Sequence, residues 1–583
     1  MIVQVQVQPR PGFAALFCAL RLACRSSLFL ALLCGTLVPP ATAATFTVGA
    51  AGCSHPDLGA ALAAAASNPG FDEIRLLAGS SHQGQFLVNS DGLAIVGGFA
   101  TCAAGSPTGS STLLGTNSSR ALFLSSFGTV SLQRLNLTGG TVTGDGGGAL
   151  FQGTGNILLI DVLVFGNSAT GKGGNVFVSA SPGLVVTFTG TSLVSQGNAL
   201  DGGGLACAGD GRVVFRDDVL VANNQATGDG GGVHLSASCE LVHSSSGPGD
   251  GIVNNTAGLF GGGVYIEGGA ELNTELGLFG LAVIQGNSAP AGSGGGVYLS
   301  GTGTVLRAFF ADIRGNSALS AGGGIAAEND SIAAVGRPVA GIDWCPDKVR
   351  CSLVRDNDAA TGGAVWVAAS SLTVHGAHIE ANSANAGAAV YLFDGAEATI
   401  HSSVIAGNDG SAPFIVGNSA SLTLGNVTAA GNTGIAPNFI SASSSATSVR
   451  VLTSIFSQPD GTLLGGTGAG TVKQVDCVLS PTVNFLSGLP SGTSTRAIYI
   501  ADPRFANAAT GNYQIRGNSP AIDHCDLTQW NGGTHDIDWQ PRDVDNAILD
   551  TLGTRDLGAD EYRDLFSDGF ESNGTQFWSV AVP

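Results

Sequence analysis

Several groups of side chains in this sequence have the types and spacing to do chemistry. Asp217 and Asp218 are adjacent and follow closely on Arg212 and Arg216. Carboxylates that hold calcium beside a cationic base would suit eliminative cleavage of an acidic sugar. A pair of Asp residues flanking one glycosidic bond would suit hydrolysis. The alternative is a solvated strand-edge cluster with no chemistry, and that reading is preferred. His375 and His401 each stand seven residues before an asparagine, Asn382 and Asn408. If those asparagines mark equivalent positions, the two imidazoles stack on neighbouring units and could hold a transition metal or sense pH. Asp145, Asp201 and Asp229 each precede a glycine triplet, a place for calcium in a turn, but Lys172 interrupts the series. Phe177, His234, Tyr265, Tyr298, Trp366 and Tyr391 follow the glycine clusters at one equivalent position, with Ala206 and Ala326 between them. Aromatic faces in line could stack on sugars or on partner side chains, or simply on one another.

What positions these residues is an internal repeat. An apolar residue, two further residues and an asparagine lead through a short spacer to a glycine cluster and a strand. The asparagines are Asn167, Asn198, Asn224, Asn255, Asn287, Asn316, Asn357, Asn382, Asn408 and Asn432. Their uneven spacing fits a turn of about 24 residues carrying insertions of variable length. Val164, Val221, Ile252, Ile284, Ile313, Val354, Ile379 and Ile405 precede the asparagines by three and should point inward. The asparagines themselves could form an amide ladder along the stack. Segments such as Val233-His234-Leu235 and Val264-Tyr265-Ile266 alternate with period two, outer members inward and middle member outward. The units are too short for propeller blades, and one amphipathic helix, 57–66, stands near the start. The expected fold is therefore all-β: a right-handed single-stranded parallel β-helix with a short N-terminal capping helix.

Composition agrees. Glycine accounts for 89 of 583 residues and charged residues for 11%, yet 44% of the chain is hydrophobic and mean hydropathy is +0.28. A disordered glycine-rich chain would not carry so much Val, Ile, Leu and Phe. Residues 1–43 read as an export signal, with Arg10, Arg21 and Arg25 before an apolar run and Ala41-Thr42-Ala43 at the cleavage site. No later segment is apolar for long enough to span a bilayer as a helix. Outside the signal eight cysteines remain, and the pairing expected for an exported chain is sequential: Cys53–Cys102, Cys207–Cys239, Cys345–Cys351 and Cys477–Cys525. The formal charge of −20 becomes more negative on losing the signal, which argues against nucleic acid and anionic lipid as partners. Carbohydrate or a surface protein remains as the partner class for what is expected to be a monomer.

The Gly-Gly-(Gly/Ala)-(Val/Ile/Leu) runs and apolar-x-x-Asn turns resemble the GGA(I/L/V) and FxxN repeats of polymorphic outer membrane proteins. More broadly, they resemble bacterial right-handed β-helix repeat proteins of pectin-lyase-like fold. Asp502-Pro503-Arg504-Phe505, Ser519-Pro520-Ala521-Ile522-Asp523 and Asp556-Leu557-Gly558-Ala559-Asp560-Glu561 look like the closing coils common in that group. The resemblance implies a cap with first coils over 44–110, repeats over 111–480, closing coils over 481–562 and a tail over 563–583. That tail shows no alternating amphipathic strands of an autotransporter barrel, and it resembles a short C-terminal tag on secreted proteins of some Gram-negative bacteria. No NTD, GHG or RIK motif of the polygalacturonases accompanies Asp217 and Asp218. The function expected is thus a secreted or cell-surface, outer-membrane-associated, non-catalytic, adhesin-like interaction protein of a Gram-negative bacterium, using the outer face of the helix and needing no cofactor. A polysaccharide lyase or glycoside hydrolase, or a structural envelope component, is the alternative.

Overall fold

The computed structural model describes residues 42–562 except 51, 245–249, 277–279, 338–351, 435–437, 443–447, 458–460, 466–471, 526–533, 543–552 and 554. It is a parallel β-solenoid of about 15 turns with very little helix. Each turn contributes strands to three faces of one continuous sheet, and nine turns add a short bridging strand.

The first face begins after each glycine cluster, as in Val264–Glu267, Val297–Ser300 and Val365–Ala368. The second includes Glu271–Thr274 and Ser371–His375, the third Ile252 with its neighbours and His378–Glu380. Alternation then sorts the side chains. Val264, Ile266, Val297, Leu299, Val365 and Val367 lie fully inside, as do the eight β-branched residues that precede the asparagines. A core only one side chain deep per turn explains the preference for Val, Ile and Leu, which fill a pleated surface without polar atoms.

The asparagine ladder forms. Asn255 Nδ2 donates to Asn287 Oδ1 (3.0 Å), and Asn287 Nδ2 donates to Asn316 Oδ1 (3.0 Å) and to the Ile252 carbonyl (2.9 Å). The Asn255 backbone N–H also donates to Asn287 Oδ1 (2.9 Å). Each amide thus uses both donors and takes two bonds at its oxygen, which removes the penalty for burying it. One expected member is misplaced. Asn198 is exposed and pairs with Gln225 in the bridging sheet, while Gly197 occupies the ladder position. Asn175, from the third position of the preceding glycine cluster, fills the gap by donating to Asn224 Oδ1 (3.0 Å) and accepting from Asn167 Nδ2 (2.9 Å). The ladder and that glycine position compete for the same space: a Cβ on Gly232 would lie 2.9 Å from Asn255 Nδ2. The first glycine of each cluster is needed for another reason, since Gly230, Gly261 and Gly294 sit at φ between +65° and +69°.

Near the N-terminal end, Asp57 caps helix α1 (Leu58–Ser67) by accepting from Ala60 N at 2.8 Å. Its Leu58, Ala61 and Ala65 join the core. At the other end Phe414, Phe439, Phe456 and Phe485 close the core with tilted and edge-on ring contacts. Among the described residues no further parallel strand is added after Ser494–Ile500, and Phe505–Asn507 pairs antiparallel with Asn512–Ile515. The described parts of 505–562 lie as a strap against the last coils. Ile455, Leu479, Phe505, Ile515, Ile522 and Leu557 pack together there. Disulfides join Cys53–Cys102, Cys207–Cys239 and Cys477–Cys525, with Cα separations of 5.2, 6.0 and 6.1 Å. Cys345 and Cys351 lie outside the described residues. No described helix is long and apolar enough to cross a membrane.

Candidate functional site

The outward column of the first face is in register through Phe177, Ala206, His234, Tyr265, Tyr298, Ala326, Trp366 and Tyr391. Its middle is occupied by its own stacking. The His234 and Tyr265 rings are 5.1 Å apart, Tyr265 and Tyr298 are 5.4 Å apart and nearly parallel, and Phe260 covers Tyr298 at 4.6 Å. Only 2% of His234 and 4% of Tyr298 is exposed. Faces already stacked on one another are not offered to a ligand, so the expectation of open aromatic faces fails there. Phe177, Trp366 and Tyr391 remain half-buried with surface to offer.

Around the stack the glycine turns bring charge. Lys172 Nζ lies 3.5 Å from His234 Nε2 and 3.9 Å from both Asp201 Oδ2 and Glu267 Oε1. The Tyr265 hydroxyl donates to Glu267 (3.5 Å) and the Tyr298 hydroxyl to Glu328. Burial pushes the Asp229 carboxyl up to about 6, with the Asp201 and Glu267 charges adding to the shift. Burial drives His234 down to about 3, helped by Lys172, so its ring is neutral. Asp145, Asp201 and Asp229 accept the backbone N–H of Lys172 (2.7 Å), Asp229 (3.1 Å) and Phe260 (3.1 Å) on the following turn. Each carboxylate therefore ties one turn to the next.

Asp217, Asp218, Arg212 and Arg216 do not converge. Arg212 forms a two-pronged pair with Glu240 on the next coil (2.7 and 2.9 Å). Asp217, at φ 56°, accepts from Thr189 Oγ1 and Gly190 N on the preceding coil, and so is directed the opposite way along the stack. Asp218 faces the Asp250 carboxyl, and Arg216 is exposed.

His375 and His401 do stack, with ring centroids 4.2 Å apart. Ring lone pairs lie in the ring planes, so two imidazoles lying face to face do not aim at one ion. Trp539 of the strap covers His375 (5.5 Å), stacks on His535 (4.5 Å) and carries Arg337 over its face (5.7 Å). Burial pushes His375 to about 3, with His401 and nearby arginines adding, and His401 to about 4.

The strap also makes a site that the repeat gave no means of finding. Asp536, Asp538 and Asp560 place carboxylate oxygens within 4.8 Å of one another. Among the described residues they are the group that could share a cation. Asp536 accepts from Gln540 N (2.6 Å) and Glu561 N (3.1 Å), and Asp560 from Ile515 N (3.2 Å). Burial, reinforced by Asp538, holds both well above the ordinary carboxylate range. Beside them is a cavity of about 330 Å³ lined by Asp560, Gln514, Tyr513 and His378, whose Nδ1 is 2.8 Å from Glu380 Oε1. The only advance signal was the density of acidic residues around Arg542 in 534–542 and 556–562. Comparison with protein-family models and with curated proteins finds no match to this chain.

Proposed function

We propose that this is a secreted or cell-surface, non-catalytic interaction protein of a Gram-negative bacterium. It acts as an adhesin-like monomer whose first face meets its partner at Trp366 and Tyr391. The observation that carries this reading is the in-register outward column, in which these two rings stand on adjacent coils and keep accessible surface. Large, stiff rings on a rigid sheet give contact area at low entropic cost. The same proposal takes the solenoid as right-handed and pectin-lyase-like, with α1 covering the strand edges at its N-terminal end. The dispersed positions of Asp217, Asp218, Arg212 and Arg216 weigh against bond cleavage at that place.

The test is retention of the purified full chain on immobilised plant and bacterial polysaccharides and on whole bacterial cells, with products assayed for bond cleavage. Replacing Trp366 and Tyr391 by Ala should lower retention about tenfold or more. Unchanged retention would sink the Trp366–Tyr391 contact, and cleavage by the native chain would replace it with an enzymatic reading.

A further inference from the structure

The strap and the coils share a cavity that the first-face contact does not use. On the coil side its lining comes from the third face, where His378 and Val404 stand in register on successive coils. On the strap side it comes from two stretches, Thr510 to Gln514 and Ile537 with Ala559 and Asp560. Gly511, left-handed at φ 77°, ends the turn Ala508–Thr510 and lets the strand Asn512–Ile515 begin. These parts are tied together. The Ile537 N–H donates to the Ala559 carbonyl (2.8 Å), the Ala559 N–H to Thr428 Oγ1 on the coils (2.9 Å), and the Ile515 N–H to Asp560 Oδ2 (3.2 Å). The His378 ring is held by Glu380, whose Oε1 is 2.8 Å from Nδ1. Its volume, about 330 Å³, stands at the lower end of the roughly 300–1,000 Å³ of small-molecule sites, room for one small guest.

The lining selects the chemistry of that guest. Val404, Ile537 and Tyr513 pack together as an apolar side. Thr510, Asn512, Gln514 and Asp560 add a hydroxyl, two amides and a carboxyl. Among the described residues that line the cavity there is no Lys or Arg, so an anion would lose its water without gaining a counter-charge. Asp560 is the one carboxyl among them, and burial with the Asp538 charge favours its neutral, hydrogen-donating form, which offers a cation little. A wholly apolar guest would strand the amides and the carboxyl. A neutral ring with hydroxyls on its edge and C–H groups on its face meets both sides of the cavity.

We propose that this cavity binds a single neutral sugar unit, with its hydroxyls on Gln514 and Asp560 and its carbon face against Val404, Ile537 and Tyr513. The site belongs to the third face and the strap, and it stands or falls without the Trp366–Tyr391 contact on the first face.

Saturation-transfer NMR of the full chain with the methyl glycosides of glucose, galactose, mannose and N-acetylglucosamine tests it, followed by calorimetric titration with each glycoside that binds. At least one should bind. Thr510 is exposed at the rim, so Thr510→Trp fills the cavity from outside and should weaken binding about tenfold or more. Gln514→Leu keeps the bulk, removes the amide and should weaken it about fivefold. Thr495→Trp, an equally exposed position outside the lining, and Trp366→Ala/Tyr391→Ala should each leave affinity within about twofold. Binding of none of the four glycosides would overturn the site, as would binding that neither Thr510→Trp nor Gln514→Leu weakens. Loss of binding in Trp366→Ala/Tyr391→Ala would move the sugar to the first face and overturn it as well. Thermal melts of each variant separate loss of binding from loss of fold.

Discussion

The coiled body and the strap solve the same problem, buried polarity, in opposite ways. In the body the buried polar groups are mostly neutral hydroxyls and amides, and the ladder amides meet their copies on the next turn. In the strap they are mostly ionisable: Asp523, Asp536, Asp556, Asp560, Glu561 and Arg542 are all buried. Arg542 Nη2 donates to the Ala559 carbonyl and Nη1 lies 3.6 Å from Glu561. Burial and the neighbouring Asp556 nevertheless push Glu561 up to about 9. The body's contacts repeat at one-turn intervals, whereas the strap reaches across 133 residues from His535 to Ser402 and across 131 from Ala559 to Thr428. A neutral ladder is insensitive to pH and salt. An interface of ionisable groups is not, so the strap is where solution conditions should act.

The largest effect should come from breaking the ladder. Asn287→Leu removes the acceptor of the Asn255 backbone N–H and of one Asn255 Nδ2–H, and the donor to the Ile252 carbonyl, while Asn316 Oδ1 keeps the backbone N–H of residue 287; it should cost about 2–5 kcal/mol in denaturant unfolding. A loss below about 1 kcal/mol would show that the ladder is ornamental to stability. Next in size, replacing Cys477 and Cys525 by Ser should cost the strap about 2–4 kcal/mol while leaving the coils intact. Hydrogen exchange should then rise across 505–562 and not in the first-face strands.

A smaller effect concerns pH. His375 and His401 are held below the usual histidine range, so the stability they contribute is present above about 6.5 and lost as pH falls toward the folded values. The buried carboxyls of the strap, raised in the folded state, act in the opposite sense: they favour the docked strap at low pH and lose that contribution as pH rises through about 7 for Asp556 and about 9 for Glu561. The His375→Phe/His401→Phe variant isolates the first contribution. Its strap, followed by Trp539 fluorescence, should lose less stability between pH 7 and 4 than the native one; equal loss would remove the histidines from the account. The smallest change should be Asn198→Ala, within about 0.5 kcal/mol of native because that side chain is outside the ladder.

The sequence by itself determined the solenoid, the alternation of inward and outward residues, the aromatic column and the His375–His401 stack. Each follows from comparing one turn with the next, because in a parallel stack equivalence in sequence is adjacency in space. The same rule located Cys207–Cys239, one turn apart. It failed at Asn198, where Gly197 and Asn175 exchanged roles across a turn, a trade visible only once both side chains compete for one volume. Only the tertiary structure decided that the rings at His234, Tyr265 and Tyr298 consume one another's faces, and that Arg212 and Asp217 point apart. It alone placed Asp536, Asp538 and Asp560 together. Those residues belong to no repeat, and their meeting depends on how a long irregular segment docks against coils more than a hundred residues earlier, which no local spacing encodes.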